Sequence, residues 1–177
     1  MQSDVRSTLS ALLGRGGLNQ GLEEPAPRSA VALSLAFSLA GLGISVYLTV
    51  AHFVGTQALV CSDQGLINCA KVTTSAQSHF LGMPVAVLGL AFYLAMTAIT
   101  VPPAWRSPDR RLHVARLAMV IVGMAFALYL VSAELIIIDN ICIWCTAVHA
   151  VTFVLFVTVV ATTPRMLGWG DQTRRRA

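Results

Sequence analysis

Residues 140–164, NICIWCTAVHAVTFVLFVTVVATTP, decide the fold of this chain. They contain no Asp, Glu, Lys or Arg, and the block exceeds the roughly 20 apolar residues that a membrane-spanning helix needs. Two cysteines, Cys142 and Cys145, stand at its start. The sequence therefore predicts a spanning helix over about 141–162 with a C-x-x-C motif at one end.

Three further charge-free blocks precede this one, at 29–62, 72–105 and 117–133. The third is short, so a helix there must extend past Arg116 or Glu134. With 56% hydrophobic and 11% charged residues, the composition excludes an ordinary soluble domain. We predict an all-α integral membrane protein, a four-transmembrane-helix bundle. Its predicted helices cover about 30–54, 84–101, 112–138 and 141–162, with an extracytoplasmic cysteine loop at 55–82.

The two ends of the chain differ in composition from its apolar middle. Residues 1–28 carry no secretory signal and are rich in Gly, Glu and Pro, which predicts a disordered cytoplasmic tail. Residues 29–163 form the predicted four-helix membrane domain, and residues 164–177 form an Arg-rich cytoplasmic tail. Pro84 suits the first turn of the second helix.

The cations give the orientation. Four spans place eleven of the twelve Lys and Arg residues on one side, and Lys71 alone on the other. The eleven are Arg6, Arg15, Arg28, Arg106, Arg110, Arg111, Arg116, Arg165, Arg174, Arg175 and Arg176. Because cytoplasmic loops keep positive charge, we expect a multi-pass inner or plasma membrane protein with both termini cytoplasmic. Three arginines beside a span indicate a topology anchor and no nucleic-acid partner.

All four cysteines then face outward, into a compartment where disulfides persist. Four cysteines allow three pairings, and the spacing favours Cys61 with Cys69 and Cys142 with Cys145. The helix terminus at the C-x-x-C favours a thiolate, so this motif looks redox-active.

Other readings of the cysteines exist. They can form two structural disulfides of a non-enzymatic membrane protein, or a tetrathiolate zinc site, which the wide spacing of the loop pair disfavours. Covalent haem needs a His after the second cysteine of the motif, where Thr146 stands. We expect no metal.

Two ionisable residues lie near the C-x-x-C. His149 follows Cys145 by four residues and so shares its helix face, one turn deeper. Glu134 stands near the outer end of the third helix. Ionisable residues inside a span are candidates for function, although His149 can hydrogen-bond a neighbouring helix and Glu134 can be an interfacial anchor. The polar residues of 70–80, with Ser75 among them, predict an interfacial segment that caps the bundle.

The order of these residues resembles the vitamin K epoxide reductase family over roughly 30–163. The resemblance is carried by Cys61 and Cys69, by Ser75 six residues later, and by the C-x-x-C that opens the last helix. The sequence Gly82-Met83-Pro84 leading to Gly89 and Tyr93, and Glu134, also match.

The resemblance implies a membrane enzyme, a thiol:quinone oxidoreductase that supports disulfide formation. Cys61 would meet a separate, extracytoplasmic thioredoxin-like protein, Cys69 would pass electrons to Cys142, and Cys145 would face a quinone. The quinone, whether menaquinone, ubiquinone or another, is not distinguished. Candidates for binding it are Ser75, His149, Trp144 and Glu134.

The chain departs from the vertebrate members of the family at two places. They have an Asn near the start of the second helix, where Pro84 and Val85 stand here, and a Tyr at the position of His149. These differences argue against an epoxide substrate.

Overall fold

The computed structural model of the protein describes residues 26–61 and 65–167. The predicted N-terminal tail lies almost wholly outside these ranges, and so do the arginines at 174–176. What the structure describes is an all-helical bundle with a small, irregular cap at one end.

The first helix, α1, is Arg28–Val54 and has 27 residues, which corresponds to about 40 Å of helix. Pro27 precedes it in an extended conformation, and the chain leaves it at Gly55, whose φ of 121° suits glycine. Its buried face is made of small side chains, which let a neighbouring helix approach closely. These are Ala30, Ser34, Ser38, Gly41, Ser45 and Ala51.

A cap of short elements follows α1. It consists of a 3₁₀ turn at Thr56–Ala58, the short helix α2 at Cys69–Thr73, a second 3₁₀ turn at Ala76–Ser78, and a hairpin of β1, His79–Phe80, with β2, Met83–Pro84. The Asn68 side chain caps α2 by accepting a hydrogen bond from the Lys71 backbone N–H at 2.8 Å.

The second long apolar helix, α3, is Val85–Thr100. Pro84 stands before its first residue, and Val101 is extended ahead of Pro102, as the residue before a proline usually is. The 16 residues of α3 correspond to about 24 Å, less than the roughly 30 Å of a bilayer core. The second predicted span is therefore shorter than the others.

Three described helices are long and apolar enough to cross a membrane: Arg28–Val54, Arg110–Ile138 and Ile143–Pro164. The sequence predicted four spans, and the difference is α3.

A buried arginine closes the C-terminal end of α3. Arg116 lies fully buried, and its guanidinium donates to the Ile99 backbone O at 2.6 and 3.0 Å and to the Ala104 backbone O at 3.3 Å. It stacks over Trp105, 3.8 Å from the ring centroid, in the one-turn helix α4, Pro102–Trp105. Arg116 thus supplies partners to carbonyl groups that a helix end leaves free.

The fifth helix, α5, is Arg110–Ser132, and it continues into a π-helical segment, Ala133–Ile138. Asp139 ends this segment in the left-handed conformation, with φ 52°, which aspartate tolerates better than most residues. The last helix, α6, is Ile143–Met166, so it begins after Cys142 and extends past the predicted end through Pro164.

The core of the bundle lies between α1, α3, α5 and α6. Its buried apolar residues are Tyr93, Met96, Trp105, Val120, Val151, Leu155, Val159 and Met166. The Tyr93 hydroxyl lies 3.0 Å from the Val148 backbone O and 2.8 Å from the Thr152 hydroxyl, which fixes the ring between α1 and α6.

Candidate functional site

The outer cysteine pair is a disulfide in the structure. Cys61 and Cys69 are bonded, with their Cα atoms 6.1 Å apart, as the spacing predicted. Cys69 is fully buried, whereas Cys61 is partly exposed and stands next to Val60, which is 77% exposed. A molecule approaching from outside can therefore reach Cys61 and not Cys69.

Backbone hydrogen bonds join this loop to the start of the C-x-x-C. Ile67 forms a parallel bridge with Ile141, in which the Asn68 N–H donates to the Ile141 O at 3.1 Å and the Ile141 N–H to the Leu66 O at 2.8 Å. Cys69 lies two residues after one side of the bridge, and Cys142 one residue after the other. The bridge therefore brings the two cysteines together.

Cys69 and Cys142 belong to one apolar cluster. Both are fully buried, together with Val72 and Ile138, and Cys61 and Cys145 pack against the same cluster. The two cysteine pairs thus meet in one cluster, whose central sulfur-bearing residues, Cys69 and Cys142, are not exposed to solvent.

Trp144 holds the outer loop. Its indole N–H donates to the Val60 backbone O at 3.0 Å, and its ring lies 4.8 Å from that of Tyr47. The Tyr47 hydroxyl in turn donates to the Ala58 O at 2.9 Å and accepts from the Val60 N–H at 2.8 Å. The sequence makes Trp144 a candidate for binding a quinone, but the structure places it beside the segment before Cys61, and it does not line the cavity described below.

The inner cysteines, Cys142 and Cys145, are free thiols in the structure. Cys142 precedes the membrane-spanning segment Ile143–Pro164 and takes the position that caps α6. The pKa of its thiol is lowered by a hydrogen bond with the Cys145 thiol, assisted by the backbone N–H groups of Cys145 and Trp144, although burial acts in the opposite direction. Cys142 is therefore suited to attack and to be attacked in thiol–disulfide exchange.

Cys145 opens onto a cavity of about 440 Å³ at the end of the bundle that carries the cap. Most of the apolar residues of its wall come from α3 and α5, and a few polar groups come from α1, the cap, the π-helical segment and α6. Three of the four residues predicted to contact a ligand line it: Ser75, Glu134 and His149.

His149 and Ser75 offer polar atoms to this cavity. The Nδ1 atom of His149 is buried and has no hydrogen-bond partner among the described residues, which is rare for a buried polar atom. The Ser75 hydroxyl donates to the Val72 backbone O at 2.8 Å, so its oxygen can still accept a hydrogen bond.

Glu134 is the acidic residue of the cavity. Its side chain is buried, with 6% of the residue exposed, and it lines the cavity together with Cys145. This places Glu134 at the wall of the cavity and not at the lipid interface.

Sequence reasoning missed several groups of the cavity wall. His52 of α1 reaches the cavity, and so do Phe92, Gly123 and Phe126. A Cβ atom at Gly123 would lie 2.7 Å from the Phe92 ring, so this glycine makes room for the ring between α3 and α5. Apolar residues of this kind do not stand out in helices that are apolar throughout.

The described ranges contain no cluster of three or more His, Cys, Asp or Glu side chains that could hold a metal ion.

The arrangement therefore has an accessible disulfide, a buried cluster in which the two cysteine pairs meet, and a thiol that faces an apolar cavity inside a bundle of membrane-type helices. Residues 32–160, the core of the chain, match the vitamin K epoxide reductase family, whose members are oxidoreductases. The chain belongs to the vitamin K epoxide reductase family.

Proposed function

We propose that this protein is a thiol:quinone oxidoreductase of the membrane, which reoxidises a thioredoxin-like extracytoplasmic protein and passes its electrons through two cysteine pairs to a quinone. The observation that carries the proposal is that Cys69 and Cys142 belong to one buried cluster, against which Cys145, a residue of the cavity wall, also packs.

The first step takes place at Cys61. A thiolate of the partner attacks the exposed sulfur of the Cys61–Cys69 disulfide, and the partner's second thiol then releases Cys61, which leaves the outer pair reduced. The greater exposure of Cys61 supports its role as the sulfur that is attacked. The exposed apolar side chains of Val60 and Leu66 offer the partner a surface near this disulfide.

The second step moves two electrons inward. Cys69 attacks Cys142 in the oxidised inner pair, so a Cys69–Cys142 bond forms, the Cys142–Cys145 bond breaks, and Cys145 leaves as a thiolate. Cys61 then displaces Cys142 from Cys69. This exchange would leave an outer disulfide and an inner dithiol, which is the pairing seen here.

The cavity fits a quinone. Its volume falls within the range of about 300–1,000 Å³ that is usual for small-molecule sites, and its wall is largely apolar with few polar groups. A quinone in this cavity would accept two electrons and two protons from the inner pair. His149, whose Nδ1 has no partner among the described residues, would supply a hydrogen bond to one of its oxygens, and Ser75 would donate to the other only by turning its hydroxyl away from the Val72 O.

The surroundings of Cys145 also favour electron transfer to a quinone in the cavity. The apolar wall excludes water from the thiolate, and the nearby N-terminus of α6 stabilises negative charge there.

The proposal includes the topology. With α3 counted as the fourth span, the charge split places both termini in the cytoplasm and the cysteines outside. Arg116, which caps the inner end of α3, supports this count because it satisfies carbonyl groups that a short span would leave inside the bilayer.

Trapping the exchange intermediate tests this proposal. In a Cys145→Ala variant the Cys142 thiolate can attack Cys69 of the outer disulfide, so that a Cys69–Cys142 bond forms, the Cys61–Cys69 bond breaks and Cys61 leaves as a thiolate; no thiol remains in the C-x-x-C to displace Cys69 from Cys142. In the oxidised variant without added reductant, we expect a Cys69–Cys142 disulfide to accumulate, with Cys61 free. Peptide mapping after alkylation at low pH detects this cross-link. A Cys61–Cys69 bond that persists under the same conditions would show that the pairs do not exchange, and would favour two structural disulfides.

Quinone reduction is measured in parallel on the unaltered protein. Reconstituted in liposomes, it should reduce a short-chain ubiquinone or menaquinone analogue when a reduced thioredoxin-like protein is present. Reduction of neither analogue would contradict the quinone-linked part of the proposal.

A further inference from the structure

His52 borders two cavities at once. It lies half-buried in the last turn of α1 and lines the apolar cavity onto which Cys145 opens. It also lines a second pocket of about 400 Å³, the cap pocket, between the end of α1 and the cap. Thr73 is the other described residue that lines both spaces. His52 and Thr73 therefore form the boundary between the apolar cavity and the cap pocket.

The cap pocket is polar and open to solvent. Apart from Gly55, every described residue that lines it carries a hydroxyl, amide or imidazole group. Gln57, Thr74 and His79 of this lining are exposed. Polar groups at the surface hold water well, so we expect water to reach His52 from this side, whereas the other side of His52 faces an apolar wall.

His52 is the titratable side chain of this boundary within the described ranges. The Thr73 hydroxyl donates to the Cys69 backbone O at 2.8 Å and does not ionise, whereas histidine exchanges protons near neutral pH. His79 lines the cap pocket alone. The titratable residues that line the apolar cavity alone are Tyr93, Glu134, Cys145 and His149. Position thus separates His52 from the other titratable groups of the site.

Exchange between the cysteine pairs brings electrons to the apolar cavity without protons. In thiol–disulfide exchange a thiolate attacks and a thiolate leaves, so the protons of the partner's dithiol stay in the solvent around the cap. The proposed function releases Cys145 as a thiolate, and the inner pair becomes a dithiol only when protons reach it. Charge left inside an apolar wall is unfavourable. Two protons must therefore enter in each turnover.

We propose that His52 carries these protons from the cap pocket into the apolar cavity. An N–H bond of the protonated imidazole breaks, and the proton ends in a new S–H bond on the Cys145 thiolate. The neutral imidazole then takes a proton from water in the cap pocket, and the second proton enters in the same way. No electron moves in these steps. The inference rests on the proposed function, because that function creates the need for protons.

One other connection joins the two spaces. The Ser78 hydroxyl, which lines the apolar cavity, lies 3.1 Å from Nδ1 of His79 in the cap pocket. This hydroxyl donates to the Ser75 backbone O at 2.7 Å, so it would have to leave that bond to pass a proton onward. His52 needs no such rearrangement, since one imidazole ring faces both spaces. The route through His79 and Ser78 is the alternative that the experiment must separate.

Chemical rescue tests the proposal. The full-length protein in liposomes is supplied with a reduced thioredoxin-like protein and a short-chain ubiquinone or menaquinone analogue. We expect His52→Ala to slow turnover about 100-fold or more, the usual contribution of a positioned proton-transfer group. Imidazole in the buffer should restore much of the rate, because it can enter from the cap pocket the space that the side chain leaves. The wild-type rate should not depend on imidazole.

His79→Ala is the matched control. It removes an imidazole from the same pocket, with its ring centroid 5.4 Å from that of His52, but this imidazole does not line the apolar cavity. Turnover of His79→Ala should stay near the wild-type rate and should not respond to imidazole. A loss in His79→Ala with none in His52→Ala would assign the route to His79 and Ser78 and overturn the proposal.

Two further outcomes would overturn it. One is a wild-type rate in His52→Ala, and the other is a lowered rate that imidazole does not restore, since the side chain would then act only in packing. If His52→Ala does not fold, His52→Gln serves as the second variant. Its turnover should be slow and should fall further in D2O, because proton delivery becomes the slow step; a slow rate that is insensitive to D2O would contradict the proposal.

Failure of the proposed function gives a different result. A wild-type protein that reduces neither quinone analogue would contradict the proposed function, and the inference would fall with it. A wild-type protein that reduces quinone, with His52→Ala equally fast, would remove the role of His52 and leave the proposed function in place.

Discussion

Close packing at Gly41 allows a quantitative prediction about the bundle. A Cβ atom at this position of α1 would overlap the ring of Tyr93, which is held on its far side by contacts with the Val148 backbone O and the Thr152 hydroxyl. Because the overlap involves ring atoms and not a flexible chain end, Gly41→Ala should force the ring to move and lose its hydroxyl contacts.

The magnitude follows from these contacts. Overpacking of a core costs about 1–3 kcal/mol, and the two hydroxyl contacts are worth about 1 kcal/mol each. Replacement of a helical glycine by alanine by itself stabilises the helix by about 0.5–1 kcal/mol, which offsets part of this cost. We therefore expect Gly41→Ala to lower the free energy of unfolding by roughly 2–4 kcal/mol.

Gly43→Ala is the matched control. It lies two residues away in the same helix, and a Cβ atom there meets no atom within 4 Å. Its stability should be unchanged or up to about 1 kcal/mol higher. The assay is equilibrium unfolding in mixed micelles. In a double-mutant cycle, Tyr93→Leu should remove most of the penalty of Gly41→Ala.

Equal effects of alanine at Gly41 and Gly43 would refute the packing argument. The same would hold if the penalty at Gly41 were unaffected by Tyr93→Leu, since the ring would then not be its cause.

Three further predictions concern topology and electron transfer. Alkaline phosphatase fused after Ile67 should be active and the same enzyme fused after Arg110 inactive, because the charge split places these positions on opposite sides of the membrane; reversed activities would contradict the topology. Cys61→Ser should abolish turnover with a protein dithiol but keep part of the turnover with a small dithiol that reaches the inner pair directly, and equal loss with both reductants would remove Cys61 from its role. Since the Cys145 thiol is the main cause of the lowered pKa of Cys142, alkylation of Cys142 in a Cys61→Ser, Cys69→Ser background should reach its half-maximal rate below the pH typical of a free cysteine and shift to higher pH when Cys145→Ala is added; an unchanged profile after that addition would show that Cys145 is not the cause.

The membrane helices could be predicted because a long stretch of sequence without charged residues indicates a spanning helix by itself. Absence of charge over 29–62 and 140–164 indicates α1 and α6 whatever the contacts between them. The bounds of α3 could not be predicted equally well. The apolar block at 72–105 is longer than the helix within it, since its first part forms the cap and its last part folds as α4.

Local motifs predicted the disulfide and the family. Cys61 and Cys69 are separated by 8 positions in the sequence, which favours their pairing, and the structure shows that these two cysteines are bonded. The family resemblance depended on residue identities and is confirmed by the match over residues 32–160. The electron path and the roles of Ser75, His149 and Glu134 stay predictions.

The directions in which individual side chains point could not be predicted from the sequence. Trp144 stands between two cysteines that face inward, yet its indole binds the outer loop. Counting helix positions cannot show this, because Trp144 lies in the first turn, where the partner is a loop. Likewise, Arg116 was read as a topology charge, whereas it is buried against Ile99 and Trp105. The π-helical segment that turns Glu134 inward also leaves no mark in composition.

The bridge between Ile67 and Ile141 has a consequence for natural variation. The atoms that join the outer loop to the C-x-x-C belong to the main chain, so they are the same for nearly every amino acid. Positions 67 and 141 can therefore change freely during evolution, and proline at 141 is the exception because it has no N–H to donate. Sequence divergence at these two positions is no sign that related proteins have lost the connection between their cysteine pairs.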